Sequence, residues 1–213
     1  MPGIKTIAMY LPQYHRVKEN DEWWGSGFTE WRAVRASRPL FRGHEQPRQP
    51  FNNNYYDLLN QDTMIWQAAL MHRYNIGGAA FYHYWFKDGR KILEKPAENL
   101  LLWQDIDMPF CFCWANGSWA RTWSTIGNWS WSPLFDPEKQ DDCSMLRASD
   151  GILLEQKYGD EPDWEEHFDY LMSFFKDRRY LCMAEKPIFL FYAPDSIPCL
   201  ERMAIFWLSL IHI

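Results

Sequence analysis

The stretch GGAAFYHYWF, residues 77–86, carries five aromatic side chains and a histidine in its last six positions. A short apolar run rich in aromatic residues is typical of a buried β-strand. Three further runs have the same character: IKTIAMYL (4–11), MPFCFCWA (108–115) and KPIFLFYA (186–193). The sequence therefore predicts four buried strands.

Helical patterns alternate with these strands. In the clearest one, Asp163 is the predicted N-cap and one helix face is shared by Trp164, Phe168, Leu171 and Phe175. Three other helices are predicted: one over 62–75 behind Asp62, one opened by Pro96, and one that begins at Ser196 and Pro198. Strands and helices that alternate along a chain favour a parallel sheet covered by helices.

Two connections between a strand and the following helix, about 12–61 and 116–162, are much longer than the others. In (β/α)8 barrels such connections build the face that carries the active site. An open nucleotide-binding sheet is the alternative, but no glycine-rich phosphate turn follows the first strand, where the sequence is LPQYHR. The predicted fold class is α/β, a (β/α)8 TIM-type barrel of which the chain supplies about the first four βα units.

Residues 1–207 are accordingly predicted to be the N-terminal half of such a barrel. The last six residues, LSLIHI (208–213), continue the final helix poorly and resemble the translation of an adapter used in sequencing libraries. We expect 208–213 not to belong to the natural protein.

Composition excludes several classes of protein. The chain has 22 Lys and Arg against 28 Asp and Glu, without a long run of like charges, so it lacks the basic footprint of a nucleic-acid-binding protein. Aromatic residues make up 18%, which is more than a core usually absorbs and favours stacking on sugars. The odd count of five cysteines, the absence of a leader peptide and the absence of a membrane-spanning apolar run predict a cytoplasmic protein.

Metal and nucleophile sites are not predicted. The six histidines lack the spacing of metal ligands, and no GxSxG motif is present. Cys111 and Cys113 would share one face of a strand, which favours a packing role.

Side chains near the ends of two strands are the first candidates for a binding site. His83, Tyr84 and Trp85 lie where they can reach the mouth of a barrel, and the alternative is a histidine packed among core aromatics. The sequence WANGSW, which follows the third strand, brings Trp114, Asn116 and Trp119. An indole can stack on a sugar and an amide can bind hydroxyl groups, although Asn116 could instead cap the backbone of its own loop.

Glu30 lies between aromatic residues in the sequence GFTEW. Such surroundings raise the pKa of a carboxyl group and suit a general acid or an acceptor for sugar hydroxyls. The alternative is a structural ion pair with Arg32, Arg35 or Arg38.

The run of motifs LPQYH, NDEWWGSGFTEW, PLFRGHEQPRQP, FYHYWF and FCWANGSW, in this order, resembles the glycoside hydrolase family 99-like group, also called WbsX-like. The resemblance covers nearly the whole chain, up to about KPIFLFYAP. It implies a (β/α)8 barrel that handles polysaccharides, often bacterial surface or O-antigen glycans. It also implies no metal or organic cofactor.

The resemblance carries expectations about chemistry. Family 99 enzymes are retaining endo-α-mannosidases that are thought to use a sugar 2-hydroxyl as internal nucleophile, assisted by two carboxylates. The family's acidic pair lies in a motif resembling N-E-W-x-E-G, which is absent from these residues, and WANENW is replaced here by WANGSW with Gly117 in place of a carboxylate. The main catalytic carboxylates are therefore expected beyond residue 213, and the chain alone is expected to be inactive.

We therefore predict a retaining glycoside hydrolase, endo-α-mannosidase-like, that acts on bacterial surface or O-antigen-type polysaccharide. The alternatives are a glycosyltransferase-associated protein of lipopolysaccharide biosynthesis, fused to or associated with glycosyltransferases, and a non-catalytic carbohydrate binder. The predicted partner is a carbohydrate, with no nucleic acid and no membrane span. Glu30 is the catalytic candidate, and the predicted substrate-binding residues are Tyr10, Gln13, His15, Trp24, Trp31, His83, Tyr84, Trp85, Trp114, Asn116, Trp119 and Tyr192.

Overall fold

The computed structural model describes residues 4–45, 48–120 and 152–211. These residues form two compact units. The first unit contains 4–15, 56–117 and 157–211, and the second contains 16–45, 48–55, 118–120 and 152–156.

Helices and strands alternate along most of the described chain. In chain order they are β1 (Ile7–Tyr10), α1 (Lys18–Trp24), α2 (Glu30–Ala36), α3 (Gln61–Arg73), β2 (Gly78–Trp85), β3 (Lys91–Ile92), α4 (Lys95–Leu102), β4 (Phe110–Trp114), β5 (Trp119–Ala120), β6 (Ile152–Leu154), α5 (Glu161–Phe175), β7 (Cys182–Met183), β8 (Lys186–Pro187), β9 (Phe189–Phe191) and α6 (Leu200–Leu210). Short 3₁₀ turns lie at Phe51–Asn53 and Pro194–Ser196.

A parallel sheet with the strand order β1-β2-β4-β9 forms the centre of the first unit. Its register pairs Ile7 with Gly78, Ala79 with Phe110, and Phe112 with Phe189. The short strand β3 pairs antiparallel with β2, and β7 pairs with β8 in a separate hairpin. The fold is therefore mixed α/β with a parallel sheet, and the sheet of the described residues is open rather than closed.

Helices cover one face of this sheet. The Phe112 ring of β4 lies 4.8 Å from the Phe174 ring of α5, and the Tyr10 hydroxyl of β1 donates to Gln67 Oε1 of α3 at 2.6 Å. Because successive strand residues point to opposite faces, alternate positions of each strand meet the helices. Each large apolar side chain buried in this layer contributes about 1.5–3 kcal/mol to folding.

The opposite face is less covered at its margins. Ile7 and Met9 of the edge strand β1 are exposed, as are Leu190 and Tyr192 at the other edge of the sheet. The central positions of that face are buried, among them Cys111 and Cys113, as their predicted packing role requires. The four cysteines of the described residues form no disulfide, and Cys143 lies outside those residues.

A buried arginine fastens the end of α4. The last carbonyl groups of a helix lack intrahelical donors, and the guanidinium of Arg179 supplies them. It donates to Leu100 O at 2.7 Å and to Trp103 O and Ile106 O at 2.9 Å each. Its charge is balanced by Asp177 at 2.7 Å, and both side chains are almost fully buried.

The second unit contains the two short helices α1 and α2 and the hairpin β5–β6. Asp21 fixes the turn between the helices, because its Oδ1 accepts from the backbone N–H groups of Gly27 at 2.9 Å and Phe28 at 3.1 Å. Its Oδ2 also binds Arg16 at 2.7 Å. The guanidinium and the two backbone donors hold the pKa of this carboxyl below its usual value.

The four predicted strands are confirmed as the four parallel strands of one sheet. Three helix starts, those of α3, α5 and α6, differ from the prediction. The side chain of Asn60, not Asp62, caps α3. Helix α5 begins at Glu161 behind Asp160, and Asp163 instead accepts the Asp160 backbone N–H at 3.1 Å.

The remaining differences concern α6 and the two long connections. Helix α6 begins at Leu200 rather than at Ser196, which lies in a 3₁₀ turn. The first long connection, in which no helix was predicted, contains α1 and α2. Most of the second one, 121–151, lies outside the described residues.

Candidate functional site

The carboxyl ends of four parallel strands carry polar side chains in the first unit. Gln13 follows β1, Tyr84 lies near the end of β2, Asn116 follows β4 and Tyr192 follows β9. Parallel strands present their carboxyl ends at the same edge of a sheet, and this edge is where ligands bind in α/β folds. The predicted rim residues Gln13, Tyr84, Asn116 and Tyr192 therefore lie at one end of the sheet.

Gln13 and Tyr84 are joined directly. The Gln13 side-chain amide donates to the Tyr84 hydroxyl at 3.0 Å, and both side chains are buried. The bond links the end of β1 to β2 and fixes the direction of the tyrosine hydroxyl.

Asn116 is committed to the protein backbone. Its Nδ2 donates to Ala193 O at 2.7 Å, and its Oδ1 accepts from Ala193 N–H at 2.9 Å. Its own carbonyl accepts from the Tyr158 hydroxyl at 2.7 Å, and the residue is completely buried. The amide therefore joins the ends of β4 and β9 in the manner of an additional ladder pair.

His83 lies on the face of the sheet that meets the helices. Its Nε2 is 2.9 Å from Nε2 of His167 on α5, and the two residues are only 4% and 2% exposed. Trp85 stacks on His167 with ring centroids 4.6 Å apart, and Tyr170 stacks on His83 at 5.7 Å. His83 thus has a partner in the core, as the alternative interpretation of the sequence required.

The two histidines form a neutral pair. Burial lowers the pKa of His83 to about 3, with a smaller contribution from the Lys91 charge. Burial and then His83 lower the pKa of His167 far below its usual value. One Nε2 therefore carries a proton and donates it, while the other accepts.

Three more predicted residues share this helix-facing layer. The Trp114 indole N–H donates to Trp85 O at 3.0 Å, and both indoles are buried against protein rings. Tyr10 stacks on Phe81 with ring centroids 4.2 Å apart. Burial and the nearby Tyr56 raise the pKa of the Tyr10 hydroxyl, which therefore stays protonated.

His15 follows β1 and is almost completely buried. Neither ring nitrogen has a hydrogen-bond partner of good geometry among the described residues. Burial lowers its pKa to about 4, against the opposing influence of Asp57 and the Pro12 carbonyl. A neutral imidazole of this kind can donate to one hydroxyl group and accept from another.

Tyr82 was not among the predicted residues. Its ring meets that of Tyr192 in an edge contact with centroids 5.7 Å apart, and Tyr192 is 64% exposed. Both tyrosines belong to the face opposite the helices, together with Tyr84. The two-residue period of FYHYWF was the signal that groups Tyr82 with Tyr84 and separates both from His83.

The second unit holds Glu30 at the first position of α2. Its Oε2 is buried, and no described residue provides a hydrogen bond or a salt bridge to that atom. Burial raises the pKa of the carboxyl to about 7, opposed by its own backbone N–H. The ion pair with Arg32, Arg35 or Arg38 is thus absent from the described residues, and a carboxyl half protonated near neutral pH suits a general acid.

Three predicted tryptophans also belong to the second unit. Each meets an aromatic partner there: Trp24 lies 5.8 Å from Phe28, Trp31 lies 5.4 Å from Tyr55, and Trp119 lies 6.0 Å from Trp23, measured between ring centroids. The predicted binding residues are therefore distributed over both units.

Comparison with known proteins decides the family. Residues 6–212 match the family model described as Glycosyltransferase WbsX. The chain belongs to the WbsX family. This agrees with the resemblance in the motifs.

Two curated relatives support the assignment of this WbsX-family chain. Each is described as an uncharacterized protein WxcX, one from Xanthomonas campestris pv. campestris strain B100 and the other from strain ATCC 33913. Each is 35% identical over 201 residues, which cover 94% of this chain and 26% of the relative. The chain thus spans about a quarter of the length of these relatives. No solved structure matches it.

The described part of this WbsX-family chain offers hydrogen-bonding groups and aromatic surfaces. No group of three or more His, Cys, Asp or Glu among the described residues is arranged to hold a metal ion. The described helices are also too short or too polar to cross a membrane. A polar group with defined direction, such as the Tyr84 hydroxyl, suits recognition of sugar hydroxyls.

Proposed function

We propose that this WbsX-family chain is part of a retaining glycoside hydrolase, endo-α-mannosidase-like, that acts on bacterial surface or O-antigen-type polysaccharide. The observation that supports this best is that two side-chain pairs, Gln13 with Tyr84 and Tyr82 with Tyr192, lie at the carboxyl ends of a parallel sheet. Rings and oriented hydroxyl groups there provide both stacking and hydrogen bonds for a sugar. A cytoplasmic location remains a prediction from the sequence.

A (β/α)8 barrel would complete this site. The edge strands β1 and β9 carry exposed apolar side chains on the face opposite the helices, among them Met9 and Leu190. Further parallel strands would pair with these edges and bury that face inside a barrel. We expect the reading frame beyond residue 207 to encode four further βα units and an acidic pair, and a stop codon there would contradict the proposal.

Glu30 is the candidate acid of the described residues. A retaining enzyme needs an acid and a second carboxylate about 5 Å apart, although an anhydro-sugar route relaxes that distance. With a pKa of about 7, Glu30 can protonate a leaving oxygen near neutral pH. The second carboxylate would come from the expected downstream strands.

The decisive experiment follows bond cleavage in a protein that carries the chain together with the downstream sequence. Purified O-antigen polysaccharides are the substrates, release of reducing ends is the signal, and NMR of the first product gives the anomer. We expect retention, and we expect Glu30→Gln to lower kcat by about 10²–10⁴. The exposed Glu22→Gln is the matched control and should keep full activity. Inversion, or full activity of Glu30→Gln, would refute the assignment.

A second function is favoured by the name of the family, Glycosyltransferase WbsX. In that case the protein would serve in the assembly of lipopolysaccharide, fused to or associated with glycosyltransferases. Turnover of a sugar nucleotide, without cleavage of polymer, would favour it. A non-catalytic binder would show neither reaction and would retain its glycan affinity in Glu30→Gln.

A further inference from the structure

The second unit carries a concentration of positive charge in an acidic chain. Residues 31–48 contain five arginines and one glutamate, whereas the whole chain has a net charge of −6. The five arginines are Arg32, Arg35, Arg38, Arg42 and Arg48. A local field of this sign attracts anionic groups even though the protein as a whole repels them.

Two of these arginines line a depression beside α2. Its volume is about 500 Å³, which lies within the range of about 300–1,000 Å³ that is usual for small-molecule sites. The lining residues are Gly27, Thr29, Trp31, Arg32, Arg35 and Ala36. The depression thus combines an indole, a hydroxyl group and two guanidinium groups.

Aromatic contacts hold one of the two guanidinium groups in place. The Arg35 guanidinium lies over the Tyr55 ring, 3.9 Å from its centroid, and Trp31 meets the edge of the same ring. A stacked guanidinium keeps its planar N–H edge available for a bidentate contact with a carboxylate. Both arginines are exposed, and neither forms a salt bridge with a described carboxylate.

We propose that this depression binds the oxyanion of an acidic sugar residue, with the carboxylate held by Arg32 and Arg35 and the sugar ring against Trp31. The inference deepens the proposed function, on which it rests, because it names an acidic glycan as the substrate class. A carboxylate is planar, so its two oxygens can accept two parallel N–H bonds from the guanidinium fork, which a single point charge cannot do.

The test measures binding of the 213-residue chain to trigalacturonic acid and to its methyl ester by calorimetry. The two ligands share ring stereochemistry and differ in charge. We expect the acid to bind at least about tenfold more tightly than the ester, and the preference to shrink as NaCl rises from about 0.05 M to about 0.5 M. We expect Arg32→Gln with Arg35→Gln to abolish the preference and to leave the affinity for the ester unchanged.

The matched control replaces two exposed arginines of the first unit. Arg73 also lies over a tyrosine ring, and Arg73→Gln with Arg178→Gln removes the same charge. This control should keep the preference for the acid. Arg35→Lys keeps the charge but lacks the fork, so it should retain only part of the preference.

Inorganic phosphate and vesicles identify the source of the oxyanion. Phosphate at matched ionic strength should compete weakly, and stronger competition than by galacturonate would overturn the choice of carboxylate. Vesicles of phosphatidylglycerol test a lipid surface, since Leu40 and Phe41 in the loop after α2 are exposed. Binding to vesicles that depends on both arginines, without preference for the acid, would overturn the proposal.

The two proposals fail in different ways. Equal affinity for acid and ester would overturn the charge recognition and leave the glycan-binding function intact. A preference for the acid that survives loss of both arginines would overturn this site. Retention of charge recognition without any polymer cleavage would leave this inference standing and count against the hydrolase.

Discussion

The neutral pair of His83 and His167 should make the first unit sensitive to acid. Both pKa values are lowered by burial, to about 3 for His83, whereas an unfolded histidine titrates near its ordinary value of 6.5. Protons therefore bind the unfolded state preferentially as the pH falls. The stabilisation is complete above about pH 6.5 and is lost progressively as the pH approaches 3.

The magnitude follows from the burial of both rings. Each proton that only the unfolded state binds costs about 1.4 kcal/mol per pH unit. His83 therefore costs about 2 kcal/mol between pH 6.5 and pH 5, and His167, whose pKa is lowered in the same direction, adds to this loss. That is a large part of the roughly 5–15 kcal/mol that usually separates folded from unfolded proteins.

The assay is unfolding by urea at pH 7 and at pH 5. Replacing both residues at once, His83→Phe with His167→Phe, removes both hydrogen-bond partners and keeps aromatic rings in the core, which is close to neutral in principle. We expect the parent chain to lose at least about 2 kcal/mol more than this variant on acidification. The exposed His72→Gln should behave as the parent does. Parallel pH dependence of the parent and the double variant would refute the reasoning.

Three further outcomes are expected from unfolding measurements. Arg179→Met should lower the free energy of unfolding by about 3–5 kcal/mol, because the buried Asp177 carboxylate loses its partner. Replacement of the exposed Arg178 by Met should change the free energy of unfolding by less than about 0.5 kcal/mol, and equal effects of the two replacements would contradict the role of Arg179. Asn116→Ala should cost about 2–3 kcal/mol through loss of both bonds to Ala193, and a loss below about 0.5 kcal/mol would count against that clamp. Glu30→Gln should stabilise the protein by about 3 kcal/mol at pH 8 and by little at pH 4, because folding raises the carboxyl pKa to about 7 and an ionised Glu30 opposes folding. A gain in stability that does not depend on pH would be inconsistent with a buried, unpaired carboxyl.

The sequence pattern predicted the four strands correctly, because a short run of apolar and aromatic residues is buried wherever the chain folds. Alternation in FYHYWF also separated His83 from Tyr84 correctly. The pattern did not show which of the two faces meets the helices. That choice depends on α5, whose His167 lies 84 residues after His83 in the chain. The candidate site was consequently drawn from both faces, and Tyr82 was left out.

Helix starts were harder to predict than helices. Asp160 and Asp163 are both good capping residues, and Pro162 suits the first turn of a helix in either case, so residue type alone did not select the cap. The helices α1 and α2 were not predicted, because each has only seven residues, too few to show a helical period of apolar residues. The shape of the depression beside α2 depends on the contact between Arg35 and Tyr55, which no local pattern specifies.

The bonds of Asn116 have a consequence for how this protein can vary. The chain leaves the first unit after Gly117 and returns at Lys157. Next to these two points, the Tyr158 hydroxyl donates to the Asn116 carbonyl and holds the two ends of the connection together. The entropy cost of closing a connection between fixed ends grows slowly with its length, by about 0.6 kcal/mol for each doubling. The strands that Asn116 joins can therefore keep their register when the connection between Asn116 and Tyr158 changes in length.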